Sequence, residues 1–362
     1  MSYTNGLDDP SAYFKIITWT GDGTTPRAHT FSDTDTDMQP DLIWLKKRNT
    51  TEFNTLTDAV RGVGKHLISN NSDGEATNSN SGYVSAFGSD GFTTTNGTAN
   101  DLYVNTDGAT YVGWFWKAGT TASGTTTGSG TGKSYSSSYN STSGFQITAY
   151  TGNGSAGHTI PVGLSSAPNF VICKTRAAGS FIIYHSGNTS APETDYLEFD
   201  TGATTDNNGA WNDVAPTSSV VTLGTFGDLN TNDQTNIMYA WSEVQGFSKF
   251  GSYVGNGNAD GPMIFLGFRP AFILTKRTDG GSNYWTIWDN KRDPDNWCGQ
   301  KIYPNATNAE QTESTGNLDF VANGVKIRNN GGDYNGSGQS YIYMAWAEAP
   351  FVNSNGVPCT AR

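Results

Sequence analysis

Positive charge is scarce in this 362-residue chain: 21 Lys and Arg stand against 33 Asp and Glu, and charged residues make up only 15%. A net charge of −12 leaves no basic face to neutralise phosphates, so a nucleic-acid partner is excluded. The acidity reads as a contribution to solubility. Cysteine is nearly absent. The spacing of Cys173, Cys298 and Cys359 matches neither a zinc site nor a disulfide framework, and Cys173, inside the apolar run NFVICKT, reads as a small buried hydrophobe. No run of 18 apolar residues occurs, and the opening MSYTNGLDDPSAYF has no basic stretch leading into an apolar core. Neither membrane insertion nor an export signal is therefore expected. Leu, Glu, Lys and Arg, the strong helix formers, are sparse.

What is abundant is glycine (44 residues) and aromatic rings (10 Trp, 17 Tyr and 18 Phe), with many Ser, Thr and Asn. Short strands joined by polar turns, over cores built from rings, have this composition. The fold class read from it is all-β.

The same signals come three times. ITWTGDG at 17–23, TAYTGNG at 148–154 and GSYVGNG at 251–257 each place an aromatic before Gly-Asx-Gly. A proline then opens an apolar run that ends on basic residues: PDLIWLKKR at 40–48, PNFVICKTR at 168–176 and PAFILTKR at 270–277. NTLTDAV, SFIIYHS and YWTIWDN follow, and YVGWFWK, IMYAWSE and IYMAWAE close the three stretches. A small residue before tryptophan aligns Trp114, Trp241 and Trp346. Self-similarity at this period indicates tandem domains. Strand-length apolar segments bounded by Gly, Asn, Asp and Pro predict about eight strands in roughly a hundred residues, the size of a two-sheet sandwich. The expected architecture is three tandem β-sandwich, jelly-roll-like repeats at 1–118, 144–247 and 248–352, with a tail at 353–362. DLIWLKK is apolar at almost every position, as suits a strand covered on both faces. Gly-Asx-Gly predicts a tight turn with positive φ.

Of residues 119–143, 20 of 25 are Gly, Ser or Thr, a composition that predicts a flexible linker. On that reading the second and third units pack as a block and the first is tethered loosely. The linker contains GTGKS, which resembles part of a phosphate loop. The first glycine of such a loop would fall at Thr127, however, and neither a buried strand precedes it nor a helix follows.

Other candidate chemistry is thin. Asp33, Asp35 and Asp37 alternate as calcium ligands can, without the glycine and distal glutamate of a known loop, so a solvated loop is favoured. His29, His66, His158 and His185 form no pair at metal spacing, and no nucleophile elbow is present. Neither catalytic residues, a cofactor nor a metal are assigned. The best surface candidate is SNYWTIWDNKRDPDNW at 282–297, where Trp285, Trp288 and Trp297 could stack on sugar rings while Asp289 and Asn290 bind hydroxyls. Alternation turns either Trp285 or Trp288 inward, and core packing is the favoured reading of the cluster.

Taken together, DDPSAYF at 8–14, MQPDLIWLKKR at 38–48, DAVRG at 58–62, APTSSVVTLG at 215–224, SKFGSYVGNGNADGP at 248–262, GFRPAFILTKR at 267–277 and MAWAEAPF at 344–351 carry a resemblance. The chain resembles repeat-containing structural proteins of tailed bacteriophages, particularly marine ones, described as tail-fibre or appendage proteins. The resemblance implies a non-enzymatic component on the exterior of a virion or its tail appendage. Its expected partners are other virion structural proteins, with a host-surface glycan as a further partner. Since the first unit begins near residue 13 with no shaft repeat before it, a capsid-decoration or head-fibre role is the alternative, and a depolymerase the least favoured. A homotrimer suits a fibre, but three internal units could supply pseudo-threefold contacts from one chain.

Overall fold

In the computed structural model, which describes residues 4, 6–31, 36–201, 205–206, 209–280, 283–313 and 317–361, the chain is almost entirely antiparallel β-structure. Strands of the first unit are β1 (Phe14–Thr20), β2 (Arg27–Thr30), β3 (Leu42–Lys47), β4 (Asn54–Asp58), β5 (Gly91–Thr95) and β6 (Thr110–Trp116). Then come β7 (Thr120–Thr125) and β8 (Ser134–Asn140). The second unit holds β9 (Phe145–Thr151), β10 (His158–Pro161), β11 (Phe170–Thr175), β12 (Phe181–His185), β13 (Val220–Leu223) and β14 (Thr235–Trp241). The third holds β15 (Ser248–Val254), β16 (Met263–Phe265), β17 (Phe268–Arg277), β18 (Thr286–Asp289), β19 (Gly324–Ile327) and β20 (Ser340–Pro350).

One strand order is drawn three times. The large sheets run β1-β6-β3-β4, β9-β14-β11-β12 and β15-β20-β17-β18, so each unit's first strand pairs with its last, and the last with the third. Over each lies a small sheet containing the pair β2-β5, β10-β13 or β16-β19. The outer faces of the large sheets meet these small sheets in three separate cores, built around Ile43, Leu45 and Phe115, around Val171, Cys173 and Trp211, and around Ile273, Trp288 and Phe320. The inner faces of all three meet one another in a fourth, central core. Along β3, Leu42 and Trp44 face the centre while Ile43 and Leu45 face outward, and all six residues of the strand are buried. Double coverage explains why these strands read as continuous apolar runs instead of alternating.

At the middle of the central core stand three indoles. Trp116, Trp241 and Trp346 lie 5.3–6.0 Å apart between ring centroids in edge-to-face pairs, a geometry that suits the ring quadrupoles. The register corrects the sequence alignment here. Leu42, Phe170 and Phe272 of the third strands stand opposite Trp116, Trp241 and Trp346, so Trp116 is the true counterpart. Trp114 matches Tyr239 and Met344, and the residue before the first tryptophan is Phe115, not a small one. The double Trp of GWFW allows two alignments, and side-chain size chose the wrong one.

The Gly-Asx-Gly turns are held alike. The second glycine has φ of +69°, +72° and +65° at Gly23, Gly154 and Gly257. A fully buried asparagine faces each turn: Asn105, Asn230 and Asn335 accept from the N–H of Asp22, Asn153 and Asn256 at 3.2, 3.0 and 2.9 Å.

Residues 119–143 are not a tether. β7 and β8 pair with each other, and β8 pairs with β9, extending the second large sheet, which counts seven strands with the short strand Leu197–Glu198 beside β12. The backbone ladder needs no apolar side chains, and Tyr135 and Tyr139 supply the packing against the second outer core. GTGKS sits at the turn of this hairpin, where Lys133 reaches Asp233 at 2.5 Å. Nor is the first unit loosely held: Phe14, Trp114 and Trp116 stand in the central core with residues of the other two.

Candidate functional site: the seams between the sheets

Around the central core each unit meets the next at a seam, and the residue closing the fourth strand decides its chemistry. The register makes Asp58, His185 and Asp289 equivalent, opposite Leu42, Phe170 and Phe272.

At the first seam Asp58 accepts from the backbone N–H groups of Val60 and Arg61 and from Arg61 Nε. Arg61 extends to Glu75 at 3.3 Å, Glu75 binds Arg176 of the second unit at 2.6 Å, and Tyr239 Oη donates to Asp58 at 2.8 Å. The seam from the third unit to the first repeats this. Asp289 accepts from Lys291 and Arg292 N–H and from Arg292 Nε, and Arg292 reaches Glu310 at 3.1 Å. Glu310 binds Arg48 at 2.9 Å, and Trp114 Nε1 donates to Asp289 at 3.0 Å. Both aspartate–arginine pairs have fully buried side chains. Burial opposes charge on the two guanidiniums, yet the facing carboxylates prevail and raise their pKa. The arrangement satisfies the condition for burying charge: each ion is paired and hydrogen-bonded.

The seam from the second unit to the third is neutral. His185 takes the aspartate position, and Asn188 lies three residues on, where the other units carry arginine. The N–H of Thr205 donates to Thr278 O, as that of Glu75 does to Arg176 O and that of Glu310 to Arg48 O. So Thr205 and Thr278 replace the second carboxylate and the receiving arginine, and Thr205 Oγ1 donates to Asn188 at 2.7 Å. Met344 stands where Tyr239 and Trp114 donate. Gly187 N–H donates to His185 Nδ1 at 3.0 Å, which leaves Nε2–H to donate to Tyr343 O at 3.1 Å.

That geometry accepts only neutral imidazole, and burial lowers the His185 pKa to about 4 from 6.5. Between those pH values the unfolded chain binds a proton that the folded chain refuses, so this residue's contribution to stability is lost as pH falls from 6.5 to 4. His185→Gln should therefore flatten the pH dependence of unfolding free energy in that window by close to one proton, measured by denaturant titration at successive pH values.

The third-to-first seam has no covalent connection across it, and it carries additional links. Asn54 Nδ2 donates to Ala306 O at 2.9 Å, Ser69 Oγ to Pro304 O at 2.6 Å, and Ser354 N–H to Asp8 at 2.8 Å. These contacts offset the entropy of bringing distant ends of the chain together.

Of the proposed sugar-binding residues, most are structural. Trp285 lies in the central core with Nε1 donating to Glu198 O at 3.1 Å, Trp288 lies in the third outer core, and Asp289 is the seam carboxylate. Asn290 is buried, its N–H donating to Ala271 O at 2.9 Å. Trp297 alone is open to solvent, at 47% exposure. A run of this kind is read inward on both faces because the strand is covered on both. Trp297→Ala should change unfolding free energy by less than about 0.5 kcal/mol, checked by denaturant titration.

Asp33 and Asp35 of the proposed calcium loop lie outside the described residues. Among the described residues, no group of three or more His, Cys, Asp or Glu could hold a metal ion. Cys173 is buried as expected, its thiol pushed up to about 12 by burial. All four histidines are buried, with His29 stacked on Phe92 at 4.6 Å and His158 bonded to Asn230 at 2.8 Å. Three equivalent lysines, Lys46, Lys174 and Lys276, are fully buried, their ammoniums donating to backbone carbonyls. Among the described residues, no helix is long and apolar enough to cross a membrane.

The ionic seams were missed in the sequence. Their signal is present in it: Asp-x-x-Arg occurs at 58–61 and 289–292, at matching places in the first and third units, and is absent from the second. A family model described as a domain of unknown function matches residues 9–350, while no curated protein and no solved structure matches the chain.

Proposed function

We propose that this chain, which belongs to the family described as a domain of unknown function (DUF7483), is a non-enzymatic structural protein of a tailed-phage virion, working by protein–protein contacts on an appendage. The observation that carries the reading is the use made of its reactive and aromatic side chains. The buried Asp–Arg pairs, the half-buried glutamates that extend them and the central tryptophans join three sheets around one core. Such cohesion suits a rigid joint that presents the ends of three sandwiches to its neighbours. The sequence resemblance to phage structural proteins points the same way.

Antibody labelling of intact particles, combined with mass spectrometry of purified ones, tests this. Label on the tail appendage is expected. Label spread over the capsid would favour the head-decoration role, and absence of the chain from purified particles would contradict the reading.

A further inference from the structure

The three large sheets differ in what covers their first strand. β9 is covered by β8 of the hairpin. The edge of β15 is met by the preceding turn, where Ser248 N–H donates to Val244 O at 2.9 Å and Phe250 N–H faces Glu243 at 3.5 Å. Among the described residues, β1 pairs with β6 alone.

Which backbone groups β1 leaves open follows from its flanking bonds. Lys117 N–H donates to Tyr13 O and Gly21 N–H to Ala109 O, so odd-numbered residues turn toward β6. In an antiparallel pair the alternate residues then point away. Those are Phe14, Ile16, Thr18 and Thr20. Thr20 O accepts from Arg27 Nη1 at 2.8 Å, whereas the outward N–H and C=O of Phe14, Ile16 and Thr18 have no partner among the described residues. Two adjoining clefts follow this edge. One of about 180 Å³ is lined by Phe14, Lys15 and Ile16 against Asn290 and Lys291. The next, of about 350 Å³, is lined by Ile17, Thr18 and Trp19 and again by Lys291. Asn290 Oδ1, at the wall of the first, is buried and has no hydrogen-bond partner among the described residues.

The second unit shows what fits such an edge. Phe145, Ile147 and Ala149 correspond to Phe14, Ile16 and Thr18, because Phe145 opposes Trp241 as Phe14 opposes Trp116. They face Asn140, Ser138 and Ser136 of β8, whose sequence is SYSSSYN. We propose that the free edge of β1 takes an extended segment of a partner polypeptide, rich in small hydroxyl side chains, which adds an antiparallel strand as β8 does to β9. Backbone bonds supply attraction in such strand addition, and small side chains let the strand lie in a narrow cleft. Asn290 Oδ1 accepts one further donor from the incoming strand. The inference gives a chemistry to the protein contacts proposed above and rests on that reading for its biological setting.

The test uses the full chain and a synthetic peptide with the sequence of residues 133–141, KSYSSSYNS, followed by amide hydrogen exchange. At saturating peptide, exchange at Phe14, Ile16 and Thr18 should slow about tenfold or more, with Lys15 and Ile17 unchanged because they already bond to β6. Thr18→Pro removes one outward donor at an exposed edge position, where proline is tolerated, and should weaken the effect. A peptide N-methylated at its alternate amides should abolish it with the protein unaltered. No slowing at Phe14, Ile16 and Thr18, equal slowing by the methylated peptide, or protection confined to another edge would overturn the proposal. Protection that grows with protein concentration without peptide would also overturn it, by assigning the edge to a second copy. None of these outcomes depends on where the chain sits in a particle.

Discussion

Asp58→Ala is expected to lower the unfolding free energy by about 3–5 kcal/mol, the range found when one partner of a buried ion pair is removed. The carboxylate answers Arg61 Nε, two backbone N–H groups and the Tyr239 hydroxyl, and its loss leaves a guanidinium with a fully buried side chain whose nearest counter-charge is Glu75 at 3.3 Å, beside the neutral acceptors Leu56 O and Tyr239 Oη. The neutral seam supplies a sharper comparison. Exchanging the four charged residues, as Asp58→His, Arg61→Asn, Glu75→Thr and Arg176→Thr, copies four of the side chains that join the second unit to the third and leaves Tyr239 in place of the methionine found there. Removing all the charges together avoids an orphaned ion, so the fourfold variant should lose less stability than the single one. Urea titration of both variants checks this, and a larger loss for the fourfold variant would mean that the ion network stabilises the seam beyond its own desolvation.

Trp116→Ala should cost about 3–5 kcal/mol, the usual range for emptying a buried aromatic site. The indole contacts Trp241 and Trp346 and also Phe14 at 4.9 Å and Phe272 at 6.1 Å, so the cavity would be lined by rings from all three units. Rings held by three sheets cannot close on the void without moving those sheets. The midpoint of unfolding should therefore fall for the molecule as a whole, seen by far-ultraviolet circular dichroism and by probes placed in the second or third unit.

Local signals carried much of this fold. Gly-Asx-Gly, the proline before each apolar run and the aromatic closing strand identified the elements, because turn chemistry and strand composition act over a few residues. The apolar character of DLIWLKK and its counterparts indicated cover on both faces, which the central and outer cores provide. What failed was whatever depended on partners. The hairpin at 120–140 looked like a linker because it is held by the β9 ladder and by only two packed rings, Tyr135 and Tyr139, amid Gly, Ser and Thr. Core packing was the favoured reading of the cluster at 282–297, but alternation left one of Trp285 and Trp288 outward, because the sheets that bury both lie far away in the chain. Trp114 was aligned in place of Trp116 because a small preceding residue is a weak marker beside the register itself.

The claim that one central core makes the three sheets a single body is tested most directly by scanning calorimetry of the full chain. One transition, with calorimetric enthalpy equal to the van't Hoff enthalpy and a midpoint lowered as a unit by Trp116→Ala, is the predicted result. Two or three separable transitions, with Trp116→Ala shifting only the one that belongs to residues 14–116, would contradict it.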